Sequence, residues 1–460
     1  MTRSLIGWKV LKMIVKAKNK ISYTKLSAIG FFTIILVGAI LLSLPISSKS
    51  GEFTPFIDAL FTATSATCVT GLVVYDTYLY YSLFGQSVII ILIQIGGLGF
   101  MMIATMFMLV LRRRIGIRER GFLKDSVNTL SIGGIVRLAK HILMGTFIIE
   151  GIGAIILSIK FSSEMGVIPG IFNGLFHSIS AFCNAGFDLM GRYGAFTSLT
   201  RYNGDILINI VIMSLIVIGG IGFLVWEDIY KNKFRFERYN LHSKIVLVTT
   251  VLLIITGAIA FYMFERKNLL ANVGSKEIIL SSLFHSITPR TAGFNTVDTG
   301  SLSEGSKLLT MILMLIGGSP GSTAGGIKTT TFVVACLSVI SSVIQSNDLN
   351  IFKRRLEDGI LKNAYSIITI YILSSTLAML IISLAQPELI LGDIAFEVLS
   401  AIGTVGMTTG ITSELVNVSK FVVILLMYCG RVGSLSVLMA VTENRINFTT
   451  KNPTEKIIVG

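Results

Sequence analysis

The chain has 460 residues, of which 52% are hydrophobic and only 14% are Asp, Glu, Lys or Arg. A soluble protein carries about 25% charged residues, so this composition excludes a water-exposed globule and points to a bilayer. The formal net charge of +14 is spread along the chain, with no compact basic domain to bind nucleic acid.

In chain order, residues 1–25 form a basic tail with Arg3, Lys9, Lys12, Lys16, Lys18, Lys20 and Lys25 and no acid. The apolar stretch 26–44 is as long as a membrane span and lacks an A-x-A cleavage site, which predicts an uncleaved first helix. Further spans are predicted near 83–111, 141–159, 206–226, 245–264, 308–345, 366–385 and 420–441, eight with the first. Between the two spans of each successive pair lies a mixed segment: 55–66, 169–182, 277–288 and 392–402. Each is about a dozen residues, too short to cross and typical of a re-entrant helix.

The basic residues set the orientation. Residues 1–25, 112–134, 231–244, 346–362 and 443–460 hold 25 of the 39 Lys and Arg, and the long segments alternating with them hold 10. By the positive-inside rule both termini are expected in the cytoplasm. Arg112, Arg113 and Arg114 then mark a membrane boundary, with a docking patch as a second use. The four cysteines and four histidines have no metal-site spacing.

The chain repeats internally. The re-entrant segments end in Val69-Thr70-Gly71, Asn184-Ala185-Gly186, Thr291-Ala292-Gly293 and Thr404-Val405-Gly406, with the glycines 115, 107 and 113 residues apart. Phe176-His177-Ser178 matches Phe284-His285-Ser286. Gly96-Gly97-Leu98-Gly99 matches Gly219-Gly220-Ile221-Gly222, with echoes at Gly317-Gly318 and Gly430-Arg431-Val432-Gly433. The reading is an all-α membrane protein of four parallel repeats about a pseudo-fourfold axis, with eight spanning and four re-entrant helices. Its divisions are 1–25, 26–114, 115–231, 232–346, 347–443 and 444–460. Irregular backbone at membrane depth survives where it lines a watery cavity, and four such loops around one axis can turn carbonyls toward a dehydrated cation.

On these four loops, on Thr291-Ala292-Gly293-Phe294-Asn295 and on the Gly/Ser/Thr stretch 317–328, the sequence resembles the Trk/Ktr/HKT superfamily of cation transporters along nearly its whole length. It looks most like the KtrB-type membrane subunits of Ktr potassium uptake systems, because the first repeat directly follows a short basic tail. Trk-type members carry two additional N-terminal helices, for which there is no room before residue 26. The resemblance implies channel-like potassium uptake across the cytoplasmic membrane of a prokaryote, and no enzyme. It makes the four triplets the selectivity filter, with potassium as the only metal and sodium a candidate activator. Serine in the first repeat is associated with sodium passage in the family, so Gly71 favours potassium. Only Thr404-Val405-Gly406 keeps the TVG of potassium channels. No cofactor is expected in this chain. The implied partners are membrane lipid, a second copy in a homodimer, and a cytoplasmic KtrA-type ring that carries the regulatory nucleotide. The competing readings are a sodium- or proton-coupled carrier with alternating access and a Trk-type potassium transporter.

The sixth span is broken by Gly317-Gly318-Ser319-Pro320-Gly321-Ser322-Thr323-Ala324-Gly325-Gly326, whose five glycines and one proline oppose a helix. By resemblance this is an intramembrane gate beneath the filter; the alternative is a passive hinge. Lys328 is expected to snorkel toward the cytoplasm. Arg431 stands in the apolar last span, Val422–Met439, so it should face the pore or an acid. By resemblance it forms an electrostatic barrier near the gate. Glu150 reads as a structural partner rather than a proton relay. His177 and His285 should brace their helices, and Arg290 should pin the filter through a carboxylate.

Overall fold

The computed structural model describes residues 23–99, 134–233, 235–345, 348–357 and 359–433, with isolated positions between 102 and 123. The basic tail 1–22, Arg112, Arg113, Arg114 and everything beyond 433 lie outside the described residues. Among the described residues the regular elements are helices apart from one two-residue antiparallel ladder, Asn350–Ile351 with Arg354–Arg355, and single bridges join Ser48 to Tyr81 and Ile316 to Ile327.

Long helices alternate with short ones. α1 (Tyr23–Ser43) leads to α2 (Phe56–Thr67) and α3 (Leu83–Leu98). α4 (Ile135–Met165) leads to α5 (Val167–Phe182), α6 (Ile206–Gly220) and α7 (Phe223–Asn232). α8 (Leu241–Glu265) leads to α9 (Ser275–Ile287), α10 (Glu304–Leu315) and α11 (Thr329–Val343). α12 (Ile360–Ala385) leads to α13 (Leu391–Gly403) and α14 (Asn417–Val432).

α1, α4, α8 and α12 are long and apolar enough to cross a bilayer; α6 and α7 pass the same test only as a pair bent by 96°. Ile155, Ile159, Leu373, Leu377 and Leu384 are exposed on these long helices, a surface that lipid accepts and water does not. The protein is a multi-pass membrane protein.

Of the other predicted spans, 206–226 is bent and 308–345 is interrupted, while 83–111 and 420–441 lie partly outside the described residues. α3 stops at Leu98, α14 stops at Val432, and 316–328 separates α10 from α11. Gly99, Gly222 and Gly433, which end the matched glycine motifs, have φ of +83°, +95° and +92°. That conformation interrupts a helix and resists a Cβ, so the glycine motifs place breaks inside segments that hydropathy reads as continuous.

Small residues let the helices touch. A Cβ at Gly170 or Gly174 would stand 2.4 Å from Ser162 N or 2.5 Å from Ser158 N, so α5 lies directly on α4. Likewise, a Cβ at Gly96, Gly219 or Gly430 would stand 1.9, 2.0 or 2.2 Å from the carbonyl oxygens of Thr67, Phe182 and Ile402. Bare backbone there seats α3, α6 and α14 against the ends of α2, α5 and α13. Phe161, Phe176 and Phe182 fill the core around α4 to α6, and Phe61, Val398 and Met427 fill the core joining α2 to α13 and α14.

Candidate functional site

The loops after α2, α5, α9 and α13 carry the four predicted triplets. Their first residues, Val69, Asn184, Thr291 and Thr404, have φ from +50° to +75°, and their glycines from +69° to +99°. For the β-branched Val69, Thr291 and Thr404 this backbone is strained and must be held from outside. Hydrogen bonds from the preceding helix hold it. The amides of Thr70, Ala185 and Val405 each donate at 2.8 Å to the carbonyls of Ser65, Ser180 and Ser400, and Ala292 N donates to Thr288 O at 2.9 Å. The side chains of the same four residues add a second grip. Ser65 and Ser400 accept from the amides of Gly71 and Gly406 at 3.0 and 3.1 Å. Ser180 and Thr288 donate to the carbonyls of Phe187 and Phe294 at 2.7 and 2.6 Å.

The four loops meet in cyclic order. A Cβ at Gly71 would stand 2.6 Å from the Ala185 oxygen, at Gly186 2.8 Å from that of Ala292, and at Gly293 2.5 Å from that of Val405. At Gly406 it would stand 2.1 Å from the Thr70 oxygen, closing the ring. A cavity of about 130 Å³ is lined by all four glycines with Asp76, Asp188, Ser198, Asn295, Thr408 and Thr412. The triplets contain no acid, so the ring offers a cation backbone oxygens and hydroxyls, while Asp76 and Asp188 stand in the vestibule. Asp76 is also structural: it accepts from the amides of Tyr78, Leu79 and Phe196 at 3.0, 2.9 and 2.9 Å.

The broken sixth span hangs on the bend between α6 and α7. Ser319 N and Thr323 N donate to the carbonyls of Gly220 and Gly219 at 3.0 and 3.3 Å, and Phe223 N donates back to Gly321 O at 2.8 Å. The Thr323 hydroxyl reaches Phe182 O at 3.1 Å. Lys328 does not snorkel outward. Its ammonium donates to Ala324 O at 2.8 Å, because a broken helix leaves carbonyls that need donors. Arg431 donates to Thr323 O, to Gly96 O and, at 3.0 Å, to Gly97 O. These acceptors are backbone carbonyls rather than an acid, and they join the loop to α3.

Glu150, buried in α4, accepts from Gln94 Nε2 at 3.2 Å and lies beside the Cys183 thiol. His177 Nδ1 stands 2.8 Å from Asn173 O and its Nε2 accepts from Leu189 N at 3.3 Å. His285 Nε2 stands 2.8 Å from the Thr310 hydroxyl. Arg290 departs from the expectation of a carboxylate: its guanidinium crosses to α8 and meets the Thr250 hydroxyl at 3.4 Å. Sequence reasoning missed the buried pair of Lys420 and Asp58, 2.6 Å apart, to which Tyr75 adds a hydroxyl at 2.8 Å. Those two residues are 362 positions apart, and no local spacing could have joined them.

The TrkH family, described as cation transport protein, matches residues 9–447. The chain belongs to this family. Among TrkH relatives, it is 42% identical over 417 residues to Ktr system potassium uptake protein B of Bacillus subtilis, covering 90% of this chain and 91% of that one. It is 40% identical over 451 residues to potassium/sodium uptake protein NtpJ of Enterococcus hirae, covering 97% and 99%. It is 34% identical over 446 residues to Ktr system potassium uptake protein B of Vibrio alginolyticus, covering 96% of each. The crystal structure of the potassium transporter TrkH from Vibrio parahaemolyticus superposes with a TM-score of 0.69 at 18% identity, covering 92% of this chain and 85% of that one. The fold is that of an all-α TrkH-type membrane transporter. Family and relatives are transporters, which points away from an enzyme.

Proposed function

We propose that this chain is the ion-conducting subunit of a Ktr-type potassium uptake system, built from four parallel repeats and eight membrane crossings around one pore. The observation that carries the reading is the ring in which each of four glycines abuts the carbonyl before the next. Such a ring can replace a cation's hydration shell with fixed oxygens. Relatives named as potassium uptake proteins and a potassium/sodium uptake protein support the ion class. In this reading, Val69 to Gly71, Asn184 to Gly186, Thr291 to Gly293 and Thr404 to Gly406 select potassium. Gly317 to Gly326, with Lys328 and Arg431, form the gate beneath them. Both termini face the cytoplasm, and a homodimer sits on a cytoplasmic nucleotide-binding ring. Gly71→Ser tests it: the added Cβ meets the Ala185 oxygen at a backbone φ of +99°. Uptake of potassium and sodium is measured in cells lacking their own potassium uptake, with assembly checked by gel filtration. The sodium-to-potassium ratio should rise; an unchanged ratio in a folded variant returns the loops to ordinary turns.

A further inference from the structure

Behind the triplets, a second set of polar side chains recurs at one place in every short helix. Ser65, Ser180, Thr288 and Ser400 grip the loops, and one turn earlier, three residues back, stand Thr62, His177, His285 and Glu397. All four are buried, none more than 2% exposed. Each is hydrogen-bonded to chain that follows its own triplet. The Tyr81 hydroxyl donates to Thr62 at 3.1 Å, and Leu189 N donates to His177 Nε2 at 3.3 Å. His285 Nε2 lies 2.8 Å from the Thr310 hydroxyl, and the Thr412 hydroxyl donates to Glu397 Oε1 at 2.6 Å.

The partner of the fourth member lines the vestibule itself. Thr412 Oγ1 lies 3.0 Å from Thr408 Oγ1, and both threonines line the vestibule with Gly406. Ser400 holds the Gly406 amide, and Glu397 holds Thr412, so the segment 406–412 is tied at both ends to one helix, α13. A carboxyl group buried this deeply is costly unless hydrogen-bonded, and here its bond restrains the limb that carries Gly406. Removing one partner of a buried hydrogen bond leaves the other unsatisfied and lets that limb relax.

We infer that Thr62, His177, His285 and Glu397 form a second bracing layer behind the glycine ring, and that Glu397 is a specificity-determining positioning residue acting through Thr412. It fixes how far the fourth limb can close on a small cation. The inference rests on the reading of the glycine ring as the selectivity site.

The test uses the full chain in cells lacking their own potassium uptake, with rates measured in potassium and in sodium and assembly checked by gel filtration. Glu397→Ala removes the acceptor, Thr412→Val removes the donor at nearly constant shape, and Glu397→Gln keeps an acceptor. The first two should raise the sodium-to-potassium ratio by at least about threefold, with Glu397→Gln near the parent, because only they break the bond. If Glu397→Ala does not assemble, Thr412→Val decides alone. Unchanged ratios in both, alongside a raised ratio in Gly71→Ser, overturn the inference and leave the filter standing. Unchanged ratios in all three overturn the filter itself. A Glu397→Gln variant as altered as Glu397→Ala overturns the hydrogen-bond role.

Discussion

At the scale of single residues, the ring leaves no room for a Cβ, and the shortage differs around it. Gly406 is tightest, at 2.1 Å from the Thr70 oxygen and 2.8 Å from Gly71 Cα; Gly186 is loosest, at 2.8 Å from the Ala292 oxygen. Backbone atoms cannot step aside as a flexible side chain can. Gly→Ala should therefore be most damaging at 406 and mildest at 186, read as assembled yield and as the sodium-to-potassium uptake ratio. The reverse order would contradict this geometry. A second residue-scale case is the Asp58–Lys420 pair, whose side chains are 6% and 10% exposed. Lys420→Met leaves a buried acid without its partner and should cost about 3–5 kcal/mol. The double variant with Asp58→Asn should cost less than the sum of the singles, measured by thermal unfolding of the purified protein in detergent. The glycines were legible because they recur at matched positions. The pair was not, because Lys420 at the start of an apolar helix looks like an ordinary interfacial lysine.

At the scale of elements, the segment 316–328 is latched rather than loose. Backbone bonds to Gly219, Gly220 and Phe223, the Thr323 hydroxyl on Phe182 O and the Arg431 guanidinium on Thr323 O hold it against α6, α7, α5 and α14. Opening a path through it means exchanging these bonds for others. If it is the gate, deleting most of 317–326 should raise basal potassium flux in the absence of any partner. Thr323→Val should do so more weakly, since it removes one side-chain tie and leaves the backbone bonds. Equal flux in all three proteins, each correctly assembled, would leave a passive hinge. The break itself was readable from five glycines and a proline. Its partners were not, because hydropathy treats 206–226 as one span and hides the 96° bend whose open carbonyls receive the loop.

At the scale of the whole molecule, the described chain contains four long apolar helices with lipid-facing sides and an inner set of short helices that converge on the ring. A channel-like subunit under cytoplasmic control should conduct poorly alone. The purified chain in liposomes is expected to give low potassium flux that does not respond to nucleotide, and addition of a cognate cytoplasmic ring should restore both magnitude and response. Full nucleotide-responsive flux from the chain alone would remove the need for a partner. Slow, saturable exchange in place of rapid flux would favour a carrier with alternating access.

Composition, apolar length and the spacing of glycines determined that this protein is a helical membrane protein with four matched loops, since those features depend on local backbone freedom and on transfer from water to lipid. The ends of α3 and α14 and the bend after α6 followed from positive-φ glycines that a hydropathy window averages away. Tertiary structure alone decided the cyclic order of the glycines, the carbonyl partners of Lys328 and Arg431, the Thr250 contact of Arg290 and the pairing of Asp58 with Lys420. These contacts join residues from separate helices and loops. Which donor meets which acceptor depends on how the helices cross, and no local period in the sequence encodes that.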